Sequence, residues 1–259
     1  MERTLGALRD IQDSRDYKFK DVFKAPSTIP NILDYEDEMT TIKNQGDRGS
    51  CVAFACCAIR EHQEGTQWFK EFDLSEEMLY RQIMIPGGGS FPREAVKVLN
   101  KIGTCREGLW EYDRSEKDSN QKYIINWREH RRALGNARRF TIGEYAVLSG
   151  FDEVMQSLVI NGPCLMGANW QRDWSNRSRD SDERHGGYPI LDIPSNMKAA
   201  GGHAFVIVGY NKKEGLFKIR NSWGERWGKG GYAYMTFRAY SKFNWNTWAI
   251  YDRTSPYRK

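Results

Sequence analysis

From Ser50 onward the residues Val52, Ala53, Phe54, Ala55, Cys56, Cys57, Ala58 and Ile59 are apolar on every side of a helical wheel. That pattern predicts a helix buried centrally, not one laid on a surface. A second helix is expected from Ser75, whose hydroxyl suits an N-cap and is followed by Glu76 and Glu77 in the first turn. A third follows Pro92 through Ala95, Val96, Val98 and Leu99, and Pro86 to Ser90 between them reads as an irregular glycine loop. Strand-like runs occupy 164–168, 204–210, 216–220 and 232–237, and a long polar stretch at about 171–200 interrupts them. No internal repeat is visible. Helices thus dominate the first half and strands the second, which predicts an α+β arrangement of two lobes.

Composition narrows the function classes. A chain of 259 residues can bury a substantial core. Apolar residues make up 39% and aromatic residues 13%, so the chain is expected to be globular. The excess of 39 basic over 34 acidic residues gives only +5, no reason to expect nucleic acid as a partner. No run approaches eighteen apolar residues, so no membrane association is expected, and the N-terminus lacks the apolar stretch of a secretory signal. Five cysteines, two of them adjacent, do not form the even, spaced set of a disulfide framework; cytoplasmic localisation is the expectation. A mature form stripped of a signal, or a protein exported by another route, would read the same way. Residues 1–28 are highly charged, end near Pro26 and Pro30, and are expected to form an extended arm outside the core. Residues 120–139, with five arginines, are expected to present a solvated helix face.

Two segments carry candidate chemistry. Gly46 and Gly49 let the backbone turn sharply before Cys51, which then opens the buried helix. The helix dipole and free N–H groups there favour a thiolate, so the Cys51 thiol is expected to ionise below its ordinary range. Cys56, Cys57 and Cys164 lie within apolar runs and fit inert, buried thiols. His203 opens a strand after Gly201 and Gly202, whereas His62 ends a helix, His130 lies among arginines and His185 in the polar stretch. A hairpin placing Tyr210 opposite Leu216 would set His203 opposite Trp223, with Asn221 on the diagonal. A Cys–His pair oriented by a third side chain is what nucleophilic acyl transfer requires.

In order along the chain, these elements resemble the papain family of cysteine peptidases. The matching residues are Ile29-Pro30, Lys43-Asn44-Gln45-Gly46, Gly49-Ser50-Cys51, Leu74-Ser75-Glu76, Asn161-Gly162-Pro163, Gly202-His203-Ala204 and Asn221-Ser222-Trp223-Gly224. The resemblance implies a two-lobe fold, a helical lobe at about 29–140 and a β-barrel-like lobe at about 141–259, with the site between them. It implies Cys51 as nucleophile, His203 as its base, Asn221 orienting the imidazole, Gln45 donating to the oxyanion, and Trp223 shielding the His–Asn bond. Gly89, Ser90 and Pro92 match the loop that holds the substrate backbone and walls the pocket for the second residue before the cut.

Three departures stand out. Arg48 occupies a position where the family usually has a bridging cysteine, so no structural disulfide is expected. Val52 replaces an aromatic residue. The stretch at 171–200 enters just before His203 and lengthens the Cys51–His203 separation to 152 positions. The combination is similar to compact intracellular prokaryotic members. The expected function is thiol-dependent hydrolysis of protein or peptide substrates through a thioester, by an endopeptidase. Transpeptidation or amidase chemistry on the same site, or a catalytically silent peptide-binding module, are the alternatives. No cofactor is implied, and the spacing of Cys51, Cys56 and Cys57 matches no zinc pattern. The family's usual inhibitory N-terminal segment implies a role for residues 1–28: at about 3.3 Å per extended residue the arm spans roughly 90 Å, enough to run through a cleft. A solvated tail or a strap between the lobes is the plainer reading.

Overall fold

A computed structural model of the chain describes residues 4–121, 123–175 and 185–252. In chain order the helices are α1 (Phe19–Val22), α2 (Cys51–Trp68), α3 (Glu76–Ile83), α4 (Pro92–Lys101), α5 (Arg131–Ala137), α6 (Gly150–Asn161), α7 (Arg172–Ser175) and α8 (Phe237–Phe243). The strands are β1 (Ile32–Asp34), β2 (Glu144–Leu148), β3 (Cys164–Gln171), β4 (Ile190–Leu191), β5 (Ala199–Asn211), β6 (Leu216–Arg220), β7 (Tyr232–Thr236) and β8 (Asn244–Tyr251). The strands join in one sheet of order β2-β8-β3-β5-β6-β7-β4, and β1 pairs with β5 as well. This is the expected α+β class.

The sheet is buried on both faces because its central strands carry apolar residues pointing both ways along much of their length. On β5, Phe205 and Ile207 enter one apolar cluster while Ala204, Val206 and Val208 enter another, the alternation a pleated strand requires. The second cluster contains the apolar face of α2, which is wedged between the sheet and helices α3 and α4. The pattern from Ser50 therefore belongs to a helix buried on all sides, and it runs further than expected. His62 does not end it: His62, Gln63 and Glu64 are buried polar residues within α2, which stops at Phe69 in a left-handed conformation.

Two more expectations change. The arm is not outside the core: Phe19 and Phe23 are buried in the first cluster, and Phe23 stacks on Tyr251. The helical lobe at 29–140 also donates β1 to the sheet of the other lobe. The arginines at 131, 132, 138 and 139 are exposed around the buried Ala133 and Ala137, as a solvated helix face. Of the polar stretch at 171–200, the middle, 176–184, lies outside the described residues. Among the described residues no helix is long and apolar enough to cross a membrane.

Candidate active site

Cys51 is the first residue of α2, reached through the turn at Gly46 and Gly49. Its sulfur is faced by the N–H groups of Ala204, Gly6, Val52 and Cys51 itself. Helix start and β5 thus meet at one atom, with Ala204 being the residue after His203. On the other face of β5, the His203 ring stacks on Trp223 with centroids 4.6 Å apart and meets Trp170 edge-on at 4.9 Å. His203 Nε2 and Asn221 Oδ1 are 2.7 Å apart, which leaves Nδ1 free of that bond. Asn221 Oδ1 also accepts from Ser222 N–H at 2.8 Å, which fixes the amide's orientation.

Gln45 is fully buried beside this cluster. Its Nε2 donates to Arg48 O at 2.8 Å and to Thr4 O at 3.3 Å, while its Oε1 accepts from Ser222 Oγ at 2.7 Å. Ser222 settles which end of the Gln45 amide faces the cleft, a role the sequence reading did not assign. A serine beside a candidate Asn gave no signal, because the bond spans 177 positions.

The arm occupies the cleft. Ser90 N–H donates to Gly6 O at 2.8 Å and Leu8 N–H to Ser90 O at 2.9 Å, a parallel bridge centred on Ala7. Ala7 N–H donates to Gly202 O at 3.0 Å. The approach is close enough to require glycine. A Cβ on Gly6 would lie 2.0 Å from Gly49 O, and one on Gly202 would lie 2.0 Å from Ala7 O. Gly89, with φ of +85°, has its own Cβ direction blocked by Gly6 O at 2.7 Å. Of the residues expected at the substrate, Gly89 and Ser90 touch the arm; Pro92 starts α4 beside Gly167; Trp223 is buried against His203.

The electrostatics differ from the sequence expectation. Burial pushes the Cys51 thiol up to about 11, outweighing the four N–H groups that favour the thiolate. Burial likewise pushes His203 down to about 4, against the Asn221 bond that supports its proton. With the arm in place the pair is neutral, thiol and imidazole, because water that would solvate the charges is excluded. The depressed thiol pKa expected from the helix start is not the state of the covered site.

All five cysteines are free and buried. Arg48 fills the place of the missing bridge: it is buried, pairs with Glu77 at 2.5 Å and Asp118 at 3.4 Å, and lies over the rings of Tyr80 and Tyr112. Asp118 in turn accepts from Gly49 N–H and Tyr80 O–H, both at 2.8 Å, and Tyr80 Oη accepts from Gly89 N–H at 3.1 Å. The nucleophile turn and the glycine loop are therefore fastened by ion pairs and hydrogen bonds. Among the described residues no group of three or more His, Cys, Asp or Glu could hold a metal ion.

The family model for papain family cysteine proteases matches residues 29–252. An uncharacterized peptidase C1-like protein of Acanthamoeba polyphaga mimivirus is 26% identical over 99% of this chain and 89% of its own length. Peptidase 1 of Psoroptes ovis is 30% identical over 80% of this chain, which spans 61% of that relative. Among solved structures, xylellain, a cysteine protease from Xylella fastidiosa, superposes with a TM-score of 0.77 at 23% identity, covering 97% of both chains. A procathepsin B of Trypanosoma congolense gives 0.73 at 17% identity, covering 98% of this chain and 88% of its own. By the family match, with the same fold around a cysteine at a helix start and a histidine on the facing strand, this chain belongs to the papain family of cysteine proteases.

Proposed function

We propose that the protein is a cytoplasmic endopeptidase working through a Cys51–His203–Asn221 site, kept nearly silent by its own arm. Supporting the chemistry, Cys51 stands at a helix start next to Ala204, and His203 is held through Nε2 so that Nδ1 is left to exchange a proton with sulfur. Once the cleft is wet, thiolate and imidazolium form. The thiolate attacks a peptide carbonyl, Gln45 Nε2–H and the Cys51 N–H hold the oxyanion, and His203 protonates the leaving amine. Water then hydrolyses the thioester. Five free thiols support a reducing compartment. An endopeptidase is supported by the arm itself, which threads the cleft with chain on both sides of Cys51.

The single observation carrying the inhibitory role is that the arm's backbone sits on the nucleophile and on the Gln45 donor. The Gly6 N–H faces the Cys51 sulfur, and Thr4 O accepts from Gln45 Nε2–H. A chain laid this way fills the place that a substrate backbone would take. Digestion of a peptide library, read by mass spectrometry with Cys51→Ala as the blank, tests the activity. Internal cuts support an endopeptidase. Only end-trimming, only amide hydrolysis of small substrates, or joined peptides would replace it with another acyl transfer, and no product from an opened enzyme would leave a binding module.

Two further outcomes follow. In an arm-opened enzyme, Ser222→Ala should lower kcat by about tenfold with little change in KM. The Gln45 amide then loses the bond that orients it, and one hydrogen bond is worth about 1–1.5 kcal/mol. Equal loss in KM alone would count against orientation. The second outcome concerns pH. Docking places one proton on sulfur and release places one on the imidazole, so this pair takes up no net proton and gives the arm no pH dependence near neutrality. Asp10 on the arm is different: burial raises its pKa above the ordinary carboxylate value. Its docking is favoured below that ordinary value and weakens as pH rises through the raised one. Residual wild-type activity, divided by that of an arm-opened variant at each pH, should be flat from about pH 6 to 8 and fall toward pH 4. A ratio that rises on acidification would contradict this assignment.

A further inference from the structure

Asp10 is a buried carboxylate, 5% exposed, seated on the body of the enzyme. Its Oδ1 accepts from Arg93 N–H at 3.1 Å, and its Oδ2 lies 3.3 Å from the same nitrogen and accepts from Trp248 Nε1–H at 3.0 Å. Arg93 is the second residue of the ten-residue α4, so its N–H is one of the helix donors without an internal partner. The helix dipole adds positive potential there. The Arg93 guanidinium, held by Asp16, lies over the Trp248 ring and adds a full charge nearby.

The hydrogen bonds to the Asp10 carboxylate both come from N–H donors, while Arg93 adds a cation and Asp16, paired with Arg93, an opposing anion. Both donating residues belong to the enzyme body, not to the arm. They also belong to the cleft: Trp248 shares its apolar cluster with Ala7, Leu165 and Ala204, and the Pro92 ring beside Arg93 packs on Gly167. Trp248 is fully buried with the arm in place, and when Asp10 leaves, its Nε1–H loses that acceptor. A buried donor left without an acceptor costs about 1–3 kcal/mol.

We infer that this pair of donors is a carboxylate subsite, and that the enzyme prefers peptides whose Asp or Glu side chain takes the place of Asp10. The inference rests on the peptidase reading above. A site built to hydrogen-bond a substrate group rejects the analogue that lacks it far more strongly than an apolar pocket rejects a missing methylene. An Asn side chain offers one acceptor oxygen to the two donors and turns its NH2 group toward one of them, so the acid should exceed the amide, and the amide should exceed leucine.

The full chain carrying Gly6→Leu, whose added side chain cannot fit against Gly49, exposes the cleft for the test. Its peptide-library cuts should show Asp and Glu enriched at one fixed position relative to the cleaved bond. Matched peptides should lose about tenfold or more in kcat/KM on Asp→Asn replacement at that position. Adding Trp248→Phe should bring the Asp-to-Leu ratio toward one. Because Trp248 is a core residue, a second measurement leaves the enzyme body unaltered. A labelled peptide of residues 4–16 should bind the Gly6→Leu chain about tenfold more tightly than the same peptide carrying Asp10→Asn, by fluorescence anisotropy. Equal binding of the two peptides, or cuts with no acidic enrichment at any position, would overturn the subsite. Acid-selective binding with no cleavage of any peptide would instead keep the subsite and remove the peptidase reading.

Discussion

Full-length Gly6→Leu should cleave peptides at least about a hundredfold faster than the wild-type chain, with a nearly unchanged melting temperature. A Cβ at Gly6 would sit 2.0 Å from Gly49 O, a contact that no rotamer relieves. Gly49 cannot retreat, because its N–H is bonded to Asp118 and its own Cβ position is blocked by Gly89 N at 2.7 Å. The arm must therefore lift. Its anchor does not lift with it: Phe19 and Phe23 remain buried, and Lys18 bridges to Val147. Stability is thus separated from occlusion, which deleting the whole arm would not achieve. Moving a two-state equilibrium from about 1% open to mostly open raises the open population about a hundredfold. Thiol chemistry gives an independent readout. The covered Cys51 thiol is pushed up to about 11, so iodoacetamide should label it slowly at about pH 7.5. In Gly6→Leu the sulfur regains water and its imidazolium partner, and labelling should accelerate by a similar factor. Cys56, Cys57 and Cys164 stay buried and should not change. Equal turnover and equal labelling in the two proteins would show that the arm does not cover the working site.

Part of this site was legible in the sequence because chemistry there is written in local signals. A cysteine after a glycine-rich polar turn, opening an all-apolar helix, marks its own position. So does a histidine after two glycines at the head of a strand. The hairpin joining His203 to Asn221 was legible only approximately. The sequence suggests Tyr210 opposite Leu216, but the structure pairs Asn211 with Leu216 and Tyr210 with Phe217. A bulge between Ile207 and Gly209 then removes the offset, so that Val206 faces Arg220, as the simple register had required. The bulge could not be foreseen, because it lies where β1 approaches from far away in sequence. A Cβ on Gly209 would meet Leu33 O at 2.4 Å. The arm's docking in the cleft shows in the sequence only through the family resemblance, not through its own residues there. Residues 4–8 dock through backbone hydrogen bonds and close glycine contacts, which leave no apolar periodicity. Only Phe19 and Phe23, four apart, carried a packing signal. The Cys51 thiol shifts opposite to the direction its helix start implies, because a helix start acts locally, whereas burial depends on the assembled cleft.

Glu77→Leu should lower the unfolding free energy by about 3–5 kcal/mol, the usual cost of removing one partner from a buried ion pair. Glu77 is 2% exposed and serves two guanidinium groups: Arg48 through Nη1 at 2.5 Å and Nη2 at 3.2 Å, and Arg81 through Nε at 2.5 Å. Without it, Arg48 keeps only a 3.4 Å contact to Asp118 and a bond to Asp113 O, while its charge remains buried under Tyr80 and Tyr112. The double variant Arg48→Leu/Glu77→Leu should recover part of the loss, because replacing both partners of a buried pair by apolar groups is far less costly than orphaning one. Urea midpoints should not shift with reductant in any of these proteins, since the five thiols are free and the fastening is ionic. The effect should also reach catalysis. Arg48 O is an acceptor for Gln45 Nε2, and Asp118 ties the nucleophile turn to Tyr80 and so to the glycine loop. In the Gly6→Leu background, Glu77→Leu should therefore reduce kcat even at temperatures where the chain is fully folded. If it leaves both the midpoint and kcat unchanged, the buried charges do not hold this side of the cleft. Should Glu77→Leu fail to fold, Glu77→Gln, which keeps the shape and removes the charge, gives the same reading with a smaller loss.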